Sequence, residues 1–222
     1  MGCVCAKHRV KYEDPAILAA QTCFKETEVQ ALHELFRKLS TSLDDDTYIS
    51  KEEFQFGLFR NRNEQSLLAN RMFQLFDSNS DGFIEFGEFV RSLSIFHPDA
   101  PRSEKVAFAF QLYDIWKIGY IEPEEVKEMI KAFLHESNLL LSDEMIDAIV
   151  DKTFKDVDSN GDGKIDLEEW NEFVARNPTL IKNMTIPYLK DITTTFPSFV
   201  LRFDTEDDFT TSSFKTIGLK HD

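Results

Sequence analysis

The chain repeats one pattern of apolar and polar positions four times. Each copy starts with a helical apolar pattern that ends in two apolar residues three apart: Phe36 and Leu39, Phe73 and Phe76, Phe110 and Tyr113, and Phe154 and Val157. A polar, acidic stretch follows, then a lone Ile with a Glu four residues later: Ile49 and Glu53, Ile84 and Glu88, Ile121 and Glu125, and Ile165 and Glu169. A second helical pattern closes each copy. The repeat predicts helix, acidic loop and helix, four times over.

The second and fourth copies match the twelve-residue EF-hand loop at every diagnostic position. Such a loop binds a divalent cation through side chains at positions 1, 3 and 5, the carbonyl of position 7, often a water held at position 9, and a bidentate Glu at position 12. The predicted ligands of the second loop are Asp77, Asn79, Asp81, the Phe83 carbonyl, Glu85 through a water, and Glu88. Those of the fourth loop are Asp158, Asn160, Asp162, the Lys164 carbonyl, Asp166 through a water, and Glu169.

Gly82 and Gly163 hold position 6 of these loops, where the chain turns sharply with a positive φ. The bidentate Glu favours Ca²⁺ over Mg²⁺ because it suits a larger and less regular coordination sphere. Acidic loops between helices are often merely solvated. Two full matches inside a fourfold repeat favour metal binding instead, and the predicted cofactor is Ca²⁺.

The third and first loops depart from the rule. In the third, Asp114 and Glu125 hold the end positions, and Tyr120 would offer its carbonyl, but Trp116 and Ile118 stand where ligand oxygens belong. The pattern predicts a structural loop that binds calcium weakly or not at all. The first loop, counted from Ser40 to Glu53, is two residues too long and has Thr47 in the glycine position. Asp45, Asp46 and Glu53 make it a weaker candidate site.

The predicted fold is all-α, with four EF-hands in two paired lobes and short β pairings between the loops. The predicted divisions are a targeting segment and lead-in at 1–27, an EF-hand pair at 28–97, a linker at 98–103, a second pair at 104–176, and a C-terminal block with an acidic tail at 177–222. The linker is short and carries two prolines. Whether the two lobes pack together is left open by the sequence.

Charge and composition exclude several classes of function. The chain has 25 Lys and Arg against 40 Asp and Glu, a net charge of −15, so it lacks the basic surface that nucleic-acid binding requires. No apolar run reaches the roughly 18 residues of a membrane-spanning helix. Three cysteines indicate a reducing compartment rather than a disulfide framework. The five histidines are scattered, and no nucleophile is paired with a base, so we predict that the chain is not an enzyme.

Several segments together resemble the plant calcineurin B-like calcium sensors. They are the long first loop, the sequence FVRSL at 89–93 followed by FHP at 96–98, and the block MTIPYLKDITTTFPSF at 184–199. The resemblance runs from Tyr12 to about Phe199. Thr47, Trp116 and Ile118 depart from the family pattern.

That resemblance implies a non-enzymatic sensor that binds calcineurin B-like-interacting serine/threonine kinases. The kinase's Phe-containing regulatory helix would dock in a hydrophobic groove formed across both lobes, which relieves autoinhibition and places the kinase at a membrane. The resemblance also implies phosphorylation of Ser198 by the bound kinase. A calcium buffer and a regulatory subunit of a calcineurin-type phosphatase remain alternatives, and formation of a homodimer stays open.

The N-terminus offers two sites for lipids. Gly2 could accept a myristoyl group, and Cys3 and Cys5 could accept palmitate, beside the basic residues Lys7, Arg9 and Lys11. Ala6 stands against this prediction because the myristoylation pattern has Ser or Thr there. We expect lipidation, and hence the cytosolic face of a membrane such as the plasma membrane. The alternative is an unmodified terminus and a protein of the cytoplasm and nucleus.

Overall fold

The computed structural model describes residues 13–42, 47–59, 66–136 and 139–184. The helices in those ranges are α1 Pro15–Gln21, α2 Glu26–Ser40, α3 Lys51–Phe59, α4 Leu67–Phe76, α5 Phe86–Ser94, α6 Arg102–Tyr113, α7 Pro123–Glu136, α8 Asp143–Val157 and α9 Leu167–Arg176. Two short strands, β1 Ile49–Ser50 and β2 Phe83–Ile84, and a 3₁₀ helix at Pro178–Met184 complete them. The all-α prediction of four helix–loop–helix units is confirmed.

Local signals in the sequence account for where the helices begin and end. Ser66 and Ser142 cap α4 and α8, since their hydroxyls accept the main-chain N–H of the residue three positions on. Three entering helices end directly before the first residue of their loops. The N–H of that aspartate, at Asp77, Asp114 or Asp158, still donates to the carbonyl four residues back.

The loops pair through their lone isoleucines. Ile49 and Ile84 are partners in the antiparallel pairing of β1 with β2. Ile121 and Ile165 form the matching bridge in the second half, with N···O distances of 2.8 and 2.9 Å. All four side chains are buried. The predicted pairing of first with second loop and third with fourth is therefore confirmed.

A helix precedes the first hand, in a stretch where the sequence pattern predicts none. Helix α1 packs against α2 and α5, and its Leu18 is fully buried in the main core. Arg91 of α5 forms an ion pair with Glu13, just before α1, and its Nη2 donates to Gln21 Oε1 at 2.9 Å. This end of the chain is thus tied to the exiting helix of the second hand.

The main hydrophobic core spans both halves of the molecule. Residues of α6, α9 and the 3₁₀ helix, among them Val106, Val174 and Ile181, join the main cluster built by the first two hands. A smaller cluster lies within the second pair, and Trp170 packs against both. Lys105 adds a polar tie, because its Nζ donates to the carbonyls of His97 at 2.7 Å and Met184 at 2.8 Å. The short linker holds the two pairs in direct contact.

Candidate calcium sites and the adjoining groove

The first aspartate organises the backbone of the second and fourth loops. The Asp77 carboxylate accepts the N–H groups of Asp81, at 3.1 Å, and Gly82, at 3.0 Å. In the fourth loop the Asp158 carboxylate accepts the N–H groups of Gly161, at 2.7 Å, and Gly163, at 2.9 Å. The φ angles of Gly82 and Gly163 are +89° and +82°, so glycine supplies the turn that position 6 requires.

The third and fifth positions continue the same scaffold. Asn79 Oδ1 accepts the N–H of Asp81 at 2.9 Å, and Asp81 Oδ1 accepts the N–H of Phe83 at 3.0 Å. The equivalent bonds of the fourth loop are 2.8 Å, to Asn160 Oδ1, and 2.9 Å, to Asp162 Oδ1. Each predicted side-chain ligand is therefore held by a main-chain N–H of its own loop.

The glutamate at position 12 has the same structural role in all four hands. Its Oε2 accepts the N–H of position 9, which caps the exiting helix. The N···O distances are 2.9 Å for Ser50 to Glu53, 2.9 Å for Glu85 to Glu88, 2.8 Å for Glu122 to Glu125 and 3.1 Å for Asp166 to Glu169. A glutamate here is useful to the fold with or without a metal ion, so by itself it does not identify a binding loop.

The third loop keeps this scaffold without the ligands. Asp114 accepts the N–H groups of Ile118 and Gly119, both at 2.9 Å, and Gly119 has a φ of +88°. Glu125 is fully buried. The side chains at positions 3 and 5, Trp116 and Ile118, are 44% and 40% exposed and carry no oxygen. Tyr120 would contribute only its carbonyl. The loop has an EF-hand backbone and an incomplete donor set.

The first loop is only partly described. Asp45 and Asp46 lie outside the described residues, while Glu53 is fully buried and accepts both the N–H and the hydroxyl of Ser50. Ligation by the first loop stays a prediction.

Position 4 of the loops has a backbone conformation that the sequence pattern does not predict. Ser80 and Lys117 have φ angles of +58° and +56°, in the left-handed region, and Gly161 takes +75° at the same position of the fourth loop. A non-glycine residue rarely adopts such an angle. The fourth loop meets this demand with glycine, whereas the second and third loops meet it at a conformational cost.

The donor set of the second and fourth loops fits calcium. It consists of oxygens alone, from two Asp, one Asn, one main-chain carbonyl and one Glu in each loop. No group of three or more His, Cys, Asp or Glu side chains within the described ranges is arranged to hold a metal ion. The ligands of an EF-hand loop also include the amide oxygen of Asn and a main-chain carbonyl oxygen, and a group of His, Cys, Asp and Glu side chains contains neither.

Other predicted sites cannot be placed. Gly2, Cys3 and Ser198 lie outside the described residues. Among the helices that the structure describes, none combines the length and the apolar character needed to cross a membrane.

An apolar groove lies beside the third hand. Its volume is about 420 Å³. The residues that line it come from α4, α6, α7 and α8 and the segment before α8, and include Leu68, Leu112, Tyr113, Met129, Phe133 and Ile149. Phe133 is 63% exposed, and Leu140, next to the lining residue Leu141, is almost fully exposed. The groove therefore presents large apolar side chains to solvent.

A buried arginine lies close to this groove. The Arg71 guanidinium on α4 donates to the carbonyls of Gln111, at 2.6 Å, and Asp114, at 2.8 Å, and to Gln74 Oε1 at 2.6 Å. Burial lowers the pKa of Arg71, and the charges of Asp114 and Glu125 oppose that shift. The arginine thus joins the second hand to the start of the third loop.

Paired helix–loop–helix units with these oxygen ligands define an EF-hand calcium-binding protein. The EF-hand domain pair model matches residues 103–175, and the EF hand domain model matches residues 68–95. The chain is 54% identical to calcineurin B-like protein 5 of Arabidopsis thaliana over 202 residues, which cover 90% of this chain and 100% of that protein. The chain belongs to the calcineurin B-like family of EF-hand calcium sensors, and it binds Ca²⁺.

Relatives of a second kind match at lower identity. Calcineurin B of Naegleria gruberi is 36% identical over 165 residues, 74% of this chain and 88% of that protein. Calcineurin B of Schizosaccharomyces pombe is 31% identical over 162 residues, 71% of this chain and 86% of that protein.

Proposed function

We propose that this protein is a non-enzymatic, calcium-dependent regulatory subunit of a serine/threonine protein kinase. The kinase's regulatory helix would dock in the apolar groove beside the third hand. The observation that carries the proposal is the groove itself, with Phe133 and its neighbours exposed around a volume of about 420 Å³. The proposed partner belongs to the calcineurin B-like-interacting kinases.

The lining of the groove has the chemistry to bind the apolar face of an amphipathic helix. Helix-in-groove recognition buries apolar anchors spaced three or four residues apart on one face of the incoming helix. The lining is almost entirely aliphatic and aromatic, and it comes from several helices that stand around the groove. Large exposed apolar surfaces of this kind mark interaction sites in soluble proteins.

Calcium would act through the two complete loops. A bound calcium ion is ligated by carboxylates from both ends of a loop, so it links the helices that flank the loop. Asp77 directly follows α4, which reaches the groove at Leu68, and Asp158 directly follows α8, which reaches it at Ile149. Helices that line the groove therefore run directly into the ligand positions of both loops.

Membrane recruitment would depend on the N-terminus. We propose myristoylation of Gly2 and palmitoylation of Cys3, because stable anchoring takes two signals and one acyl chain binds only marginally. The expected location is the cytosolic face of the plasma membrane. Gly2→Ala should release a fluorescent fusion to the cytoplasm and nucleus and abolish incorporation of a myristate analogue. Membrane retention of Gly2→Ala would contradict this part of the proposal.

Phosphorylation of Ser198 by the bound kinase is the remaining part of the proposal. The modification adds about −1.5 to −2 charges next to Phe196 and Phe199. Mass spectrometry after incubation with the active kinase should find phosphate on Ser198 and none after Ser198→Ala.

The decisive experiment is calorimetric titration with a kinase regulatory peptide, with and without calcium. We expect micromolar calcium to strengthen peptide binding, and Phe133→Ser to weaken it by at least tenfold. Leu180→Ser is the matched control, because Leu180 is an exposed apolar residue outside the groove. Equal losses in the two variants would contradict docking in the groove.

Glu88→Gln and Glu169→Gln show which loop acts. Each change removes a bidentate ligand, while the amide oxygen still can accept the cap bond of the helix. We expect each to lower calcium affinity by at least about tenfold, or 1.4 kcal/mol. Peptide binding that ignores calcium would mean a constitutive targeting subunit with structural EF-hands.

A phosphatase regulatory subunit is the second candidate, favoured by the matches to calcineurin B at 31 to 36% identity. Pull-down from a lysate containing both partners separates the candidates, since capture of a phosphatase catalytic subunit instead of a kinase would select the alternative. A pure calcium buffer should show no calcium-dependent binding of a hydrophobic probe, because buffer EF-hands barely open.

A further inference from the structure

Helix α4 connects a calcium loop to the proposed docking groove. It ends at Phe76, directly before Asp77, the first ligand position of the second loop, and Leu68 near its start lines the groove. Helix α4 also packs against α6 and α7, which supply most of the other groove residues. A shift of α4 at the loop therefore changes the groove directly.

Arg71 lies one turn along α4 from Leu68, and only 2% of it is exposed. Its Nη2 atom donates to two main-chain carbonyls at the end of α6, those of Gln111 and Asp114. These two carbonyls bracket Leu112 and Tyr113, both of which line the groove. The arginine thus fixes the part of α6 that faces the docking site.

The three hydrogen bonds of Arg71 together favour an arginine over a lysine. One guanidinium nitrogen reaches both carbonyls while the other, Nη1, is held by Gln74 at 2.6 Å. A lysine ammonium can donate to two carbonyls, as that of Lys105 does, but it cannot occupy the positions of both Nη atoms and so bond Gln74 as well. The Nε of Arg71 is buried without a hydrogen-bond partner in the described part of the chain. Burying an unsatisfied donor lowers the stability of the fold, so the contact that Arg71 makes between α4 and α6 comes at a cost in stability.

We propose that Arg71 is a positioning residue that couples calcium binding at the second loop to the shape of the apolar groove. This inference rests on the proposed function, since it assigns the regulation of the same groove. When α4 shifts, the end of α6 moves with it, because the Arg71 guanidinium holds the carbonyls of Gln111 and Asp114 on either side of the lining residues. Loss of the fork uncouples the two sites and leaves each able to bind its own ligand.

The test measures coupling between two binding events in the full chain. The groove probe is anilinonaphthalene sulfonate, titrated by fluorescence with and without calcium, while calorimetry measures calcium binding without the probe. The variants are Arg71→Lys, which keeps the charge and loses the fork, and Gln74→Ala, which removes the exposed side chain that holds Nη1. Arg91→Lys is the matched control, because Arg91 also ties two elements together but lies outside the groove.

In the wild type and in Arg91→Lys, we expect calcium to raise probe affinity by about 5- to 150-fold, the usual range of allosteric coupling. In Arg71→Lys the ratio of probe affinity with calcium to probe affinity without calcium should fall below about twofold. The calcium affinity measured without the probe should change by less than about threefold. By reciprocity, the probe should raise calcium affinity in the wild type and not in Arg71→Lys.

A wild-type ratio that Arg71→Lys leaves unchanged would overturn the inference and leave the proposed function intact. A wild-type ratio of one would instead refute the calcium-dependent groove, and the inference with it. Should Arg71→Lys fail to fold by circular dichroism, Gln74→Ala decides the matter. A drop of at least threefold in its ratio supports the coupling, and an unchanged ratio rejects it.

Discussion

The third loop should become a calcium site when it regains its two missing ligands. Its backbone scaffold matches that of the second loop, with Asp114 holding the N–H groups of positions 5 and 6, and Gly119 making the turn. What it lacks are oxygens at Trp116 and Ile118. The double change Trp116→Asp with Ile118→Asp supplies them without altering the scaffold.

The structure sets the expected energies. Trp116 and Ile118 are each somewhat more than half buried, so their loss should cost about 1–2 kcal/mol each in the calcium-free state. A sensor-type site binds with a dissociation constant of about 10⁻⁷–10⁻⁵ M, a binding free energy of about −10 to −7 kcal/mol. At free calcium 100-fold above that constant, binding returns about 2.7 kcal/mol to the folded state. The variant should be less stable than wild type without calcium and close to it with calcium.

Calorimetric titration measures the result as a binding stoichiometry one higher than in the wild type. Trp116→Ala with Ile118→Ala is the control, since it opens the same space without adding oxygens and should gain no site. Circular dichroism confirms that both variants fold. A folded aspartate variant with the wild-type stoichiometry would refute the claim that only two side chains separate this loop from a binding loop.

Three further outcomes follow from the described contacts. Leu18→Ala should lower the free energy of unfolding, measured by chemical denaturation, by about 2–5 kcal/mol, because Leu18 of α1 is buried in the core. Ile17→Ala, at a 52% exposed position, should lower it by less than about 1 kcal/mol, and equal losses would count against this packing. Gly82→Ala should lower the free energy of unfolding by about 1 kcal/mol from its φ of +89° alone, since no atom lies within 4 Å of the added Cβ. An unchanged denaturation midpoint would argue against that φ. Chelation of calcium should lower the melting temperature, and full recovery on calcium addition but not magnesium would show the metal preference.

The repeat of apolar pairs, isoleucines and glutamates was sufficient to predict the four hands and their pairing. These features are local, because a loop of fixed length carries its ligands, its glycine and its pairing residue within twelve positions. The helix of Pro15–Gln21 escaped prediction since it is short and only Leu18 of its residues is buried. The left-handed angles at Ser80 and Lys117 also escaped, because neither residue type signals a positive φ.

The sequence by itself determined the loop chemistry, since the oxygen donors at fixed positions are a property of twelve consecutive residues. Only the tertiary structure decided which apolar side chains form a core and which face a groove, because the same Phe and Leu spacing serves both. It also decided the role of Arg71, whose acceptors lie 40 and 43 residues away at the end of another helix. Contacts between distant segments depend on how the helices pack, and no local pattern records that packing.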